Sequence, residues 1–564
     1  MSQISSRDQT CRYSIGVDFG TLSGRAVLVS CSDGKIIAEA EKKYPHAVIT
    51  GSLPTGGQLP DGWRLEDPSD YIEVLESVVS SVVSQSSVEK SDIIAIGVDF
   101  TSCTMLPIDS NAVPLCEREE FRPHRNAWVK LWNHHGAQKQ ADRISELLAK
   151  EGLEDDVRFG GRISPELMIP KVTETIEEDP EVYETADEFI EAGDWITRVL
   201  TGSRSRSCSM AGYKMWWNRE LGYPSEDFFA DLSPALKEVI RRKMPGEIVD
   251  MGHAIGLLSP EWAKRLSLQE GTVVAPAIID SHAGFPGSGA SSPSQMMLVL
   301  GTSSVLLGMS SHPFSGSGVL GGVKNAIVPG YYGYESGLAA VGDLLGWFTD
   351  RCVPPALHRQ AEQEGISIHA LLSRLAAEKQ PGESGLLALD WWNGNKTPYV
   401  DGSLSGCVVG MSMQTRPEDL YRALVEATAF GTKEILLLYE ENGCSADEII
   451  VSGGIAKKNP FVLQVYADIL NRKLRVSESS QAAALGSAIY GSLAAGKLRG
   501  GYDDYREAVE HMTALTGQVV VPNPNHVPVY EEMFSDYRKL SRFMGQGEGE
   551  IMHHLYLRKR HTGG

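Results

Sequence analysis

The chain has 564 residues, enough for more than one hydrophobic core, and is 42% hydrophobic and 22% charged, as is typical of soluble globular proteins. Its 73 acidic side chains outnumber the 52 basic ones, and the net charge of −21 argues against nucleic acid or an anionic membrane surface as the main partner. The sequence lacks a signal-peptide pattern and an apolar run of the ~18 residues that a membrane span needs, and its eight cysteines are scattered, which predicts a cytoplasmic protein without disulfides or structural zinc.

The N-terminal region predicts a sheet rich in hairpins. Apolar, β-branched runs separated by Gly or Asp-Gly turns begin with "YSIGVDFGT" and continue through "GRAVLVSCSDG" and "KIIAEAEKKY". A helix is predicted at "DYIEVLESVVSSVVSQ", and the next strand, "DIIAIGVDF", ends almost as the first one does. Residues 126–250 are then expected to be mainly helical.

The second half of the chain repeats this pattern. The strand "GTVVAPAIID" ends at Asp280, and we interpret the small residues of "SHAGFPGSGASSPSQ" as a flexible boundary between domains at 1–290 and 291–564. The segment "MMLVLGTSSVLLGMS" is again strand, polar tip and strand. A long helix follows near Pro417, with Thr415 and Glu418 suited to a capping box. Strands and helices then alternate, which predicts two similar α/β domains facing each other across a cleft.

The polar strand tips indicate phosphate binding. At each tip, Gly frees backbone N–H groups and a neighbouring hydroxyl adds a donor, so that phosphate oxygens can be held without a large positive charge. We expect Asp18 at the first tip to hold Mg²⁺. A third element, "VSGGIAKKNP" at 451–460, places two glycines before a helix start, which suits a ribose or flat ring and an anion. Gly-rich turns also join strands in every α/β protein, but three at matching places favour a nucleotide.

Asp280 is the candidate catalytic residue. It ends an apolar strand just before the predicted boundary, where a carboxylate could take the proton of a hydroxyl that attacks a terminal phosphate. The alternative is an N-cap of the next helix. Three other motifs give no support for a binding site. "GSGVLG" at 316–321 leads into a strand and is expected to be a loop, and the sequence contains no P-loop motif. His134 and His135 are adjacent and would point in different directions, so they do not suit one metal site.

Together, these motifs resemble the FGGY family of carbohydrate kinases over roughly residues 12–545. "DFGT" resembles the first phosphate motif of the family, "LGTSS" the second and "VSGGIAKKNP" the adenosine motif. The resemblance implies two actin-like ATPase domains of ribonuclease-H-like α/β fold flanking a catalytic cleft, with ATP and Mg²⁺ as cofactors. It places the following residues at the nucleotide: Gly20, Thr21, Arg25, Gly301, Thr302, Ser303, Gly342, Gly453, Gly454 and Asn459.

Longer strings narrow the resemblance to family members that phosphorylate L-ribulose on O5 in L-arabinose catabolism. These strings are "AGYKMWW", "GYESGLAAVGDLLGWF", "LDWWNGNKTPYVD" and "RPEDLYRALVEATAFGT". The resemblance implies a sugar site that contains Ser102, Lys214, Asp280 and Glu335, with Asp280 as the general base. Trp216 and Trp217 are candidates for apolar surface under the sugar, although core packing is the expected role of at least one ring.

Two departures and several alternatives stay open. Many family members have an acid where this chain has His134, and Cys103 in "DFTSC" is expected to reshape the floor of the sugar pocket. Within the same fold, the substrate could be another ketopentose or a polyol, such as xylulose, ribitol or glycerol. An actin-like ATPase switch is the alternative of a different class. The sequence leaves the oligomeric state open, with a homodimer as one alternative.

Overall fold

The structure is a computed structural model that describes residues 11–154, 156–316, 318–513, 517–546 and 551–562, with side chains as far as 558. The chain packs as two units that interleave along the sequence. The first unit comprises residues up to 291 with 321–333 and 479–514, and the second comprises 292–320, 334–478 and 515 onward. The units describe how the chain packs. The predicted division of the sequence into two domains at residue 290 is a different statement, and it stays a prediction.

The strands, in chain order, are β1 Tyr13–Phe19, β2 Ser23–Ser30, β3 Ile36–Lys43, β4 Leu65–Glu66, β5 Ile93–Phe100, β6 Met105–Ile108, β7 Val129–Lys130, β8 Glu188–Glu191, β9 Arg206–Ser207, β10 Ile248–Val249, β11 Gly256–Leu257, β12 Val273–Val274, β13 Ile278–Ile279, β14 Gln295–Leu300, β15 Ser304–Ser310, β16 Leu320–Lys324, β17 Tyr332–Ser336, β18 Leu387–Leu389, β19 Cys407–Val409, β20 Glu448–Ser452, β21 Lys473–Val476 and β22 Val519–Val520.

The helices are α1 Pro68–Gln85, α2 Gln138–Glu151, α3 Met168–Glu178, α4 Pro180–Thr185, α5 Ala192–Thr201, α6 Cys208–Lys214, α7 Glu226–Leu232, α8 Val239–Lys243, α9 Pro260–Arg265, α10 Asp280–Gly287, α11 Gly342–Cys352, α12 Pro355–Glu364, α13 Ile368–Ala377, α14 Pro417–Glu441, α15 Gly454–Lys458, α16 Pro460–Leu470, α17 Ala482–Ala495, α18 Tyr505–Met512, α19 Val527–Gly545 and α20 Ile551–Thr562. In the part of the chain that the structure describes, none of them is long and apolar enough to cross a bilayer.

The main sheet of the first unit has the strand order β11-β12-β5-β1-β2-β3, with β13 also paired to β5. Strands β1, β2 and β3 form two consecutive antiparallel pairs, whereas β5 runs parallel to β1. The parallel register sets Asp18 opposite Asp99 and Asp99 opposite Ile278. Because parallel strands end at the same edge of a sheet, the side chains that finish β1, β5 and β13 gather there.

The packing of helix α17 accounts for the Gly in the repeated string "IGVDF". Gly16 of β1 and Gly97 of β5 are register partners. A Cβ on Gly16 would lie 1.7 Å from the Ala484 carbonyl oxygen, and a Cβ on Gly97 would lie 1.9 Å from the Ser487 carbonyl oxygen. Both glycines therefore let α17 lie directly on the two strands. The Gly of the repeat is needed for packing against α17. The Asp of the repeat, Asp18 or Asp99, is a candidate functional residue.

The second unit contains a sheet with a related topology. Its strands run in the order β17-β15-β14-β20-β21-β22. Strands β14 and β15 form an antiparallel hairpin, and β20 pairs with β14 in parallel, as β5 does with β1. Strand β21 continues the parallel set. The predicted repetition of one α/β arrangement is therefore confirmed.

Two local predictions were wrong. The first half of the segment expected to be flexible, up to Gly287, forms the buried helix α10. Its small residues let it approach α17 closely, since a Cβ on Gly287 would lie 1.8 Å from the Ala482 carbonyl oxygen. The capping interaction of α14 lies one residue later than predicted. The Arg416 backbone N–H donates to Asp419 Oδ2 at 2.9 Å, while Thr415 Oγ1 accepts from the Ser412 backbone N–H.

Candidate active site

Three carboxylates lie at the ends of neighbouring parallel strands in the first unit. Asp18 is the sixth residue of β1, Asp99 is its register partner on β5, and Asp280 directly follows β13. Asp18 and Asp99 are buried and Asp280 is half-buried. The fold therefore brings the predicted base and the predicted metal ligand to one sheet edge.

Asp280 is the first residue of α10 and does not serve as its N-cap. The preceding Ile279 occupies the cap position without a side-chain hydrogen bond, and Asp280 Oδ1 accepts from the Ser281 backbone N–H at 2.7 Å. A carboxylate at a helix N-terminus is stabilised in its charged form by the helix dipole. A half-buried carboxylate at this sheet edge is a candidate general base.

Asp99 is a functional candidate that the sequence motifs did not indicate. It is completely buried and accepts a hydrogen bond from Ser487 Oγ at 2.7 Å. Burial raises the pKa of the Asp99 carboxyl well above its ordinary value, and the negative charges of Asp18 and Asp280 raise it further. The available signal was the repeated "GVDF" itself, because equal register places the second Asp beside the first.

Asp18 is the carboxylate predicted to bind Mg²⁺, and it is paired with Arg25. Arg25 Nη1 donates to Asp18 Oδ2 at 3.1 Å, and Arg25 Nη2 lies 3.2 Å from Glu41 Oε1. Burial lowers the pKa of Arg25, and the two carboxylates together raise it above its ordinary value. Among the described residues, no group of three His, Cys, Asp or Glu side chains could enclose a metal. Mg²⁺ is commonly held by one or two carboxylates plus substrate phosphates, and Asp18 fits that mode.

The glycines of the two tips use their own N–H groups within the turns. The Gly20 N–H donates to the Ser23 carbonyl at 3.1 Å, and the Gly301 N–H donates to the Ser303 carbonyl at 3.0 Å. Each glycine instead closes its turn. Within the described chain, the backbone N–H groups of Thr302 and Ser303 donate to no residue, and both residues are exposed. These later N–H groups are the ones available for phosphate oxygens.

The first tip is fixed by an aromatic residue outside the predicted site. Trp132 Nε1 donates to Thr21 Oγ1 at 3.1 Å. The hydroxyl of Thr21 keeps its own donor, so it can still serve a phosphate oxygen. Trp132 belongs to the string "LWNHHGA", whose role the sequence left open.

Ser102 and Lys214 lie in the first unit with Asp280. Ser102 follows β5 in a tight turn in which Cys103 has a φ of 50°, and it is half-buried. Lys214 ends α6 and is 7% exposed. The buried acid Glu191 interacts electrostatically with Lys214. Burial raises the pKa of Glu191 to about 8, so this carboxyl is largely protonated at neutral pH and leaves Lys214 available to a ligand.

The two tryptophans beside Lys214 have different environments. Trp216 is completely buried and packs against Phe159, Phe228 and Phe229. Trp217 is partly buried. Trp216 is therefore a core residue, and only Trp217 remains a candidate for apolar surface in the sugar site.

In the second unit, three predicted nucleotide elements come together at the end of β14. The Gly342 N–H donates to the Gly301 carbonyl at 2.9 Å, and a Cβ on Gly342 would lie 2.6 Å from that oxygen. Gly453 has a φ of 99°, and its Cβ would lie 2.3 Å from the Leu300 carbonyl oxygen. Side chains at these positions would displace the 301–303 tip. Glycine is required here by close backbone approach.

The other predicted site residues of the second unit, Gly454, Asn459 and Glu335, have different environments. Gly454 begins α15 and is exposed, with no atom within 4 Å of a Cβ built on it. Asn459 Oδ1 accepts from the Val462 backbone N–H at 3.2 Å, and Asn459 Nδ2 donates to Ser373 Oγ at 2.8 Å, so its amide caps α16. Glu335 lies on β17 and is 7% exposed.

His134 stabilises the segment that carries Trp132. His134 Nε2 lies 2.8 Å from Glu174 Oε2, and Lys130 Nζ donates to the same oxygen at 2.7 Å. Burial lowers the pKa of His134 to about 4, so the ring is neutral at pH 7. The pKa of Glu174 falls to about 2, because Lys130 and His134 outweigh the effect of burial. His134 therefore acts as a buried hydrogen-bond donor to a carboxylate in this chain.

Comparison with known proteins agrees with this geometry. Residues 13–287 match the N-terminal domain of the FGGY family of carbohydrate kinases, and residues 296–495 match the C-terminal domain. The chain belongs to the FGGY family of carbohydrate kinases and is an ATP-dependent sugar kinase.

Individual members of the family show which proteins this chain is similar to. The chain is 45% identical over 535 residues to the ribulokinase of Bacillus licheniformis, covering 95% of this chain and 97% of that protein. It is 43% identical over 545 residues to the ribulokinase of Anoxybacillus flavithermus, covering 96% of each. The crystal structure of xylulose kinase from Rhodospirillum rubrum, 22% identical, covers 96% of this chain and all of its own, with a TM-score of 0.77. The predicted two-domain kinase fold is confirmed.

Proposed function

We propose that this protein phosphorylates L-ribulose on O5 with ATP, and the relatives described above are named ribulokinases. The observation that carries the mechanism is the half-buried Asp280 at the start of α10, beside the strand-end carboxylates of β1 and β5. The observation that supports the sugar is identity of 43–45% to ribulokinases over nearly the whole chain.

Asp280 acts as the general base in this proposal. Its carboxylate accepts the proton of the O5 hydroxyl as O5 forms a bond to the γ-phosphorus of ATP. The bond from that phosphorus to the β–γ bridging oxygen breaks, and ADP leaves with the electron pair. Ser102 and Lys214 donate hydrogen bonds to sugar oxygens, and Glu335 accepts from a sugar hydroxyl. A neutral, hydroxyl-rich ligand needs such a mixture of donors and acceptors.

Nucleotide binding uses backbone groups together with few charges. The Thr302 and Ser303 N–H groups and the Thr21 hydroxyl hold phosphate oxygens, and Gly453 and Gly454 leave room for the adenosine. Asp18 holds Mg²⁺, which supplies charge neutralisation for the polyphosphate when bound. A cytoplasmic location belongs to the same proposal, because both substrates of such a kinase are intracellular metabolites.

A substrate panel tests the proposal. ATP consumption by the purified protein with Mg²⁺ is measured against ketopentoses, pentitols and glycerol. A clear preference for L-ribulose supports it. A higher kcat/KM with xylulose, ribitol or glycerol would replace the sugar assignment while keeping the kinase. ATP turnover that is independent of every sugar would contradict the assignment of the sugar site.

A further inference from the structure

Lys171 is a buried cation that the mechanism above does not use. It lies on α3 and is completely buried, with Nζ donating to the Cys103 carbonyl at 2.7 Å and to the Leu131 carbonyl at 2.9 Å. Within the described residues it forms no ion pair. Burying an ammonium without an ion-pair partner is costly, and the two hydrogen bonds to carbonyl oxygens offset part of that cost. The segments that carry those carbonyls therefore show what Lys171 holds in place.

The first acceptor lies in the turn that carries Ser102. Cys103 has a φ of 50°, a left-handed conformation that is strained for a residue other than glycine. The turn is also held by the Thr101 N–H, which donates to the Phe19 carbonyl at 3.2 Å, and by a 2.7 Å contact between Thr101 Oγ1 and Thr104 Oγ1. The ammonium of Lys171 provides the hydrogen bond at the strained residue itself.

The second acceptor lies beside the residue that fixes the first phosphate tip. Leu131 immediately precedes Trp132, whose indole N–H donates to Thr21 Oγ1 at 3.1 Å. One buried ammonium therefore joins the backbone that carries Ser102 to the segment that contacts Thr21. Both ends of this connection are sites that the proposed function assigns, one to the sugar and one to phosphate.

Lys130 provides a matched comparison within the same core. It is also completely buried, but its Nζ donates to Lys171 O, Glu174 Oε2 and Thr175 Oγ1, which all belong to α3. Lys130 thus secures a helix to β7, whereas Lys171 secures two non-helical segments at the site.

We propose that Lys171 is a positioning residue of the sugar site, which holds the Ser102–Cys103 turn and the Leu131–Trp132 segment in the arrangement that binds substrate. This inference rests on the proposed function. It predicts that loss of the ammonium weakens sugar binding more than nucleotide binding, because the acceptor Cys103 directly adjoins Ser102, whereas Leu131 reaches Thr21 only through Trp132.

The test compares Lys171→Met with Lys130→Met in the full-length protein. Steady-state kinetics with L-ribulose and with ATP varied in turn are combined with thermal unfolding. Removing the hydrogen bond to the Cys103 carbonyl, together with the one to Leu131, should raise the sugar KM of K171M about tenfold, while the ATP KM stays within about twofold. K130M leaves the Glu174 carboxylate without its ammonium, so it should lose at least as much thermal stability, while its sugar KM rises clearly less than that of K171M.

A purely structural role for Lys171 predicts that K171M loses thermal stability without a rise in its sugar KM above that of K130M, and that result would overturn the inference. Rescue is a second test. Gly adopts positive φ without strain, so Cys103→Gly in the K171M background should lower the sugar KM relative to K171M alone. An unchanged or higher KM in the double variant contradicts the proposed role of the turn.

Should K171M not fold, Lys171→Gln takes its place, because glutamine buries no charge and its amide has two N–H donors for the carbonyl oxygens, so a smaller rise in the sugar KM is expected. The same two outcomes then decide. Failure of the proposed function is recognised separately, because the wild-type protein would then prefer another sugar in the substrate panel. The Lys171 comparison is in that case run with the preferred sugar.

Discussion

The strand-end region of the first unit and the tip region of the second unit use opposite kinds of chemistry. In the first, buried or half-buried carboxylates of Asp18, Asp99 and Asp280 gather at one sheet edge. In the second, exposed hydroxyl residues follow Gly301, and glycines let backbone segments approach closely. Carboxylates suit proton transfer and metal binding, whereas backbone N–H groups suit the binding of a polyphosphate.

The difference also concerns what each region tolerates. A carboxylate can be replaced by an isosteric amide with its packing kept, so the first region should lose chemistry without losing structure. The second region depends on the absence of side chains, so adding one methyl group should disturb binding. Substitutions in the two regions should therefore affect different kinetic constants.

The largest effect is expected for Asp280→Asn. An amide cannot accept the O5 proton, so kcat should fall by roughly 10²-fold or more while the Kd for ATP changes little. Pre-steady-state turnover and nucleotide titration measure the two quantities. A kcat close to that of the wild type would remove Asp280 from the mechanism and leave the strand-end region without its base.

Asp18→Asn should give the next largest effect, on the metal. We expect the Mg²⁺ concentration for half-maximal activity to rise about tenfold or more, because a neutral amide is a weaker ligand for a hard cation than a carboxylate. Asp33→Asn, at an exposed acid in the turn between β2 and β3, is the control and should not change this concentration. An unaltered Mg²⁺ dependence in D18N would assign the metal to other groups.

Gly342→Ala tests the second region. Its new Cβ would lie 2.6 Å from the Gly301 carbonyl oxygen and should displace the 301–303 tip, raising the ATP KM about tenfold with the sugar KM unchanged. Gly346→Ala on the same helix meets nothing within 4 Å and is the matched control. Equal ATP KM values for the two variants would show that the tip does not bind nucleotide.

The sequence predicted the repeated α/β arrangement because strand and helix periodicity report local structure. Roles for Asp280, Lys214 and the glycine tips were also assigned from strand-end motifs and resemblance, and these assignments stay predictions. The motifs missed Asp99, because the significance of that residue comes from parallel register with Asp18 and from burial under α17, where its partner Ser487 lies 388 residues later in the chain. No local pattern contains that contact.

Lys171 and His134 were missed or left open for the same reason. Their partners lie on separate segments: Lys171 contacts Cys103 and Leu131, and His134 contacts Glu174. The segment after Asp280 was misjudged because small residues are typical both of flexible linkers and of tightly packed helices, and only the presence of α17 distinguishes the two.

The smallest expected effect concerns a buried acid of the second unit that lies outside the tip region. Burial raises the pKa of Asp390 to about 7, and Tyr537 donates to its Oδ1 at 3.0 Å. The ordinary pKa of Asp is about 3.9, so between these values the folded state binds a proton that the unfolded state has released. This contribution to stability is complete below pH ~4 and is lost as the pH rises through about 7.

Asp390→Asn should remove that dependence, because asparagine still accepts from Tyr537 and does not titrate. The free energy of unfolding of D390N relative to the wild type should therefore rise between pH 5 and pH 8, by an amount on the order of 1–3 kcal/mol. Urea unfolding at several pH values measures it, with kcat at fixed pH as a check that the active site is intact. A pH-independent difference between the two proteins would mean that Asp390 is ionised in the fold, so that burial alone does not keep an acid of the second unit neutral.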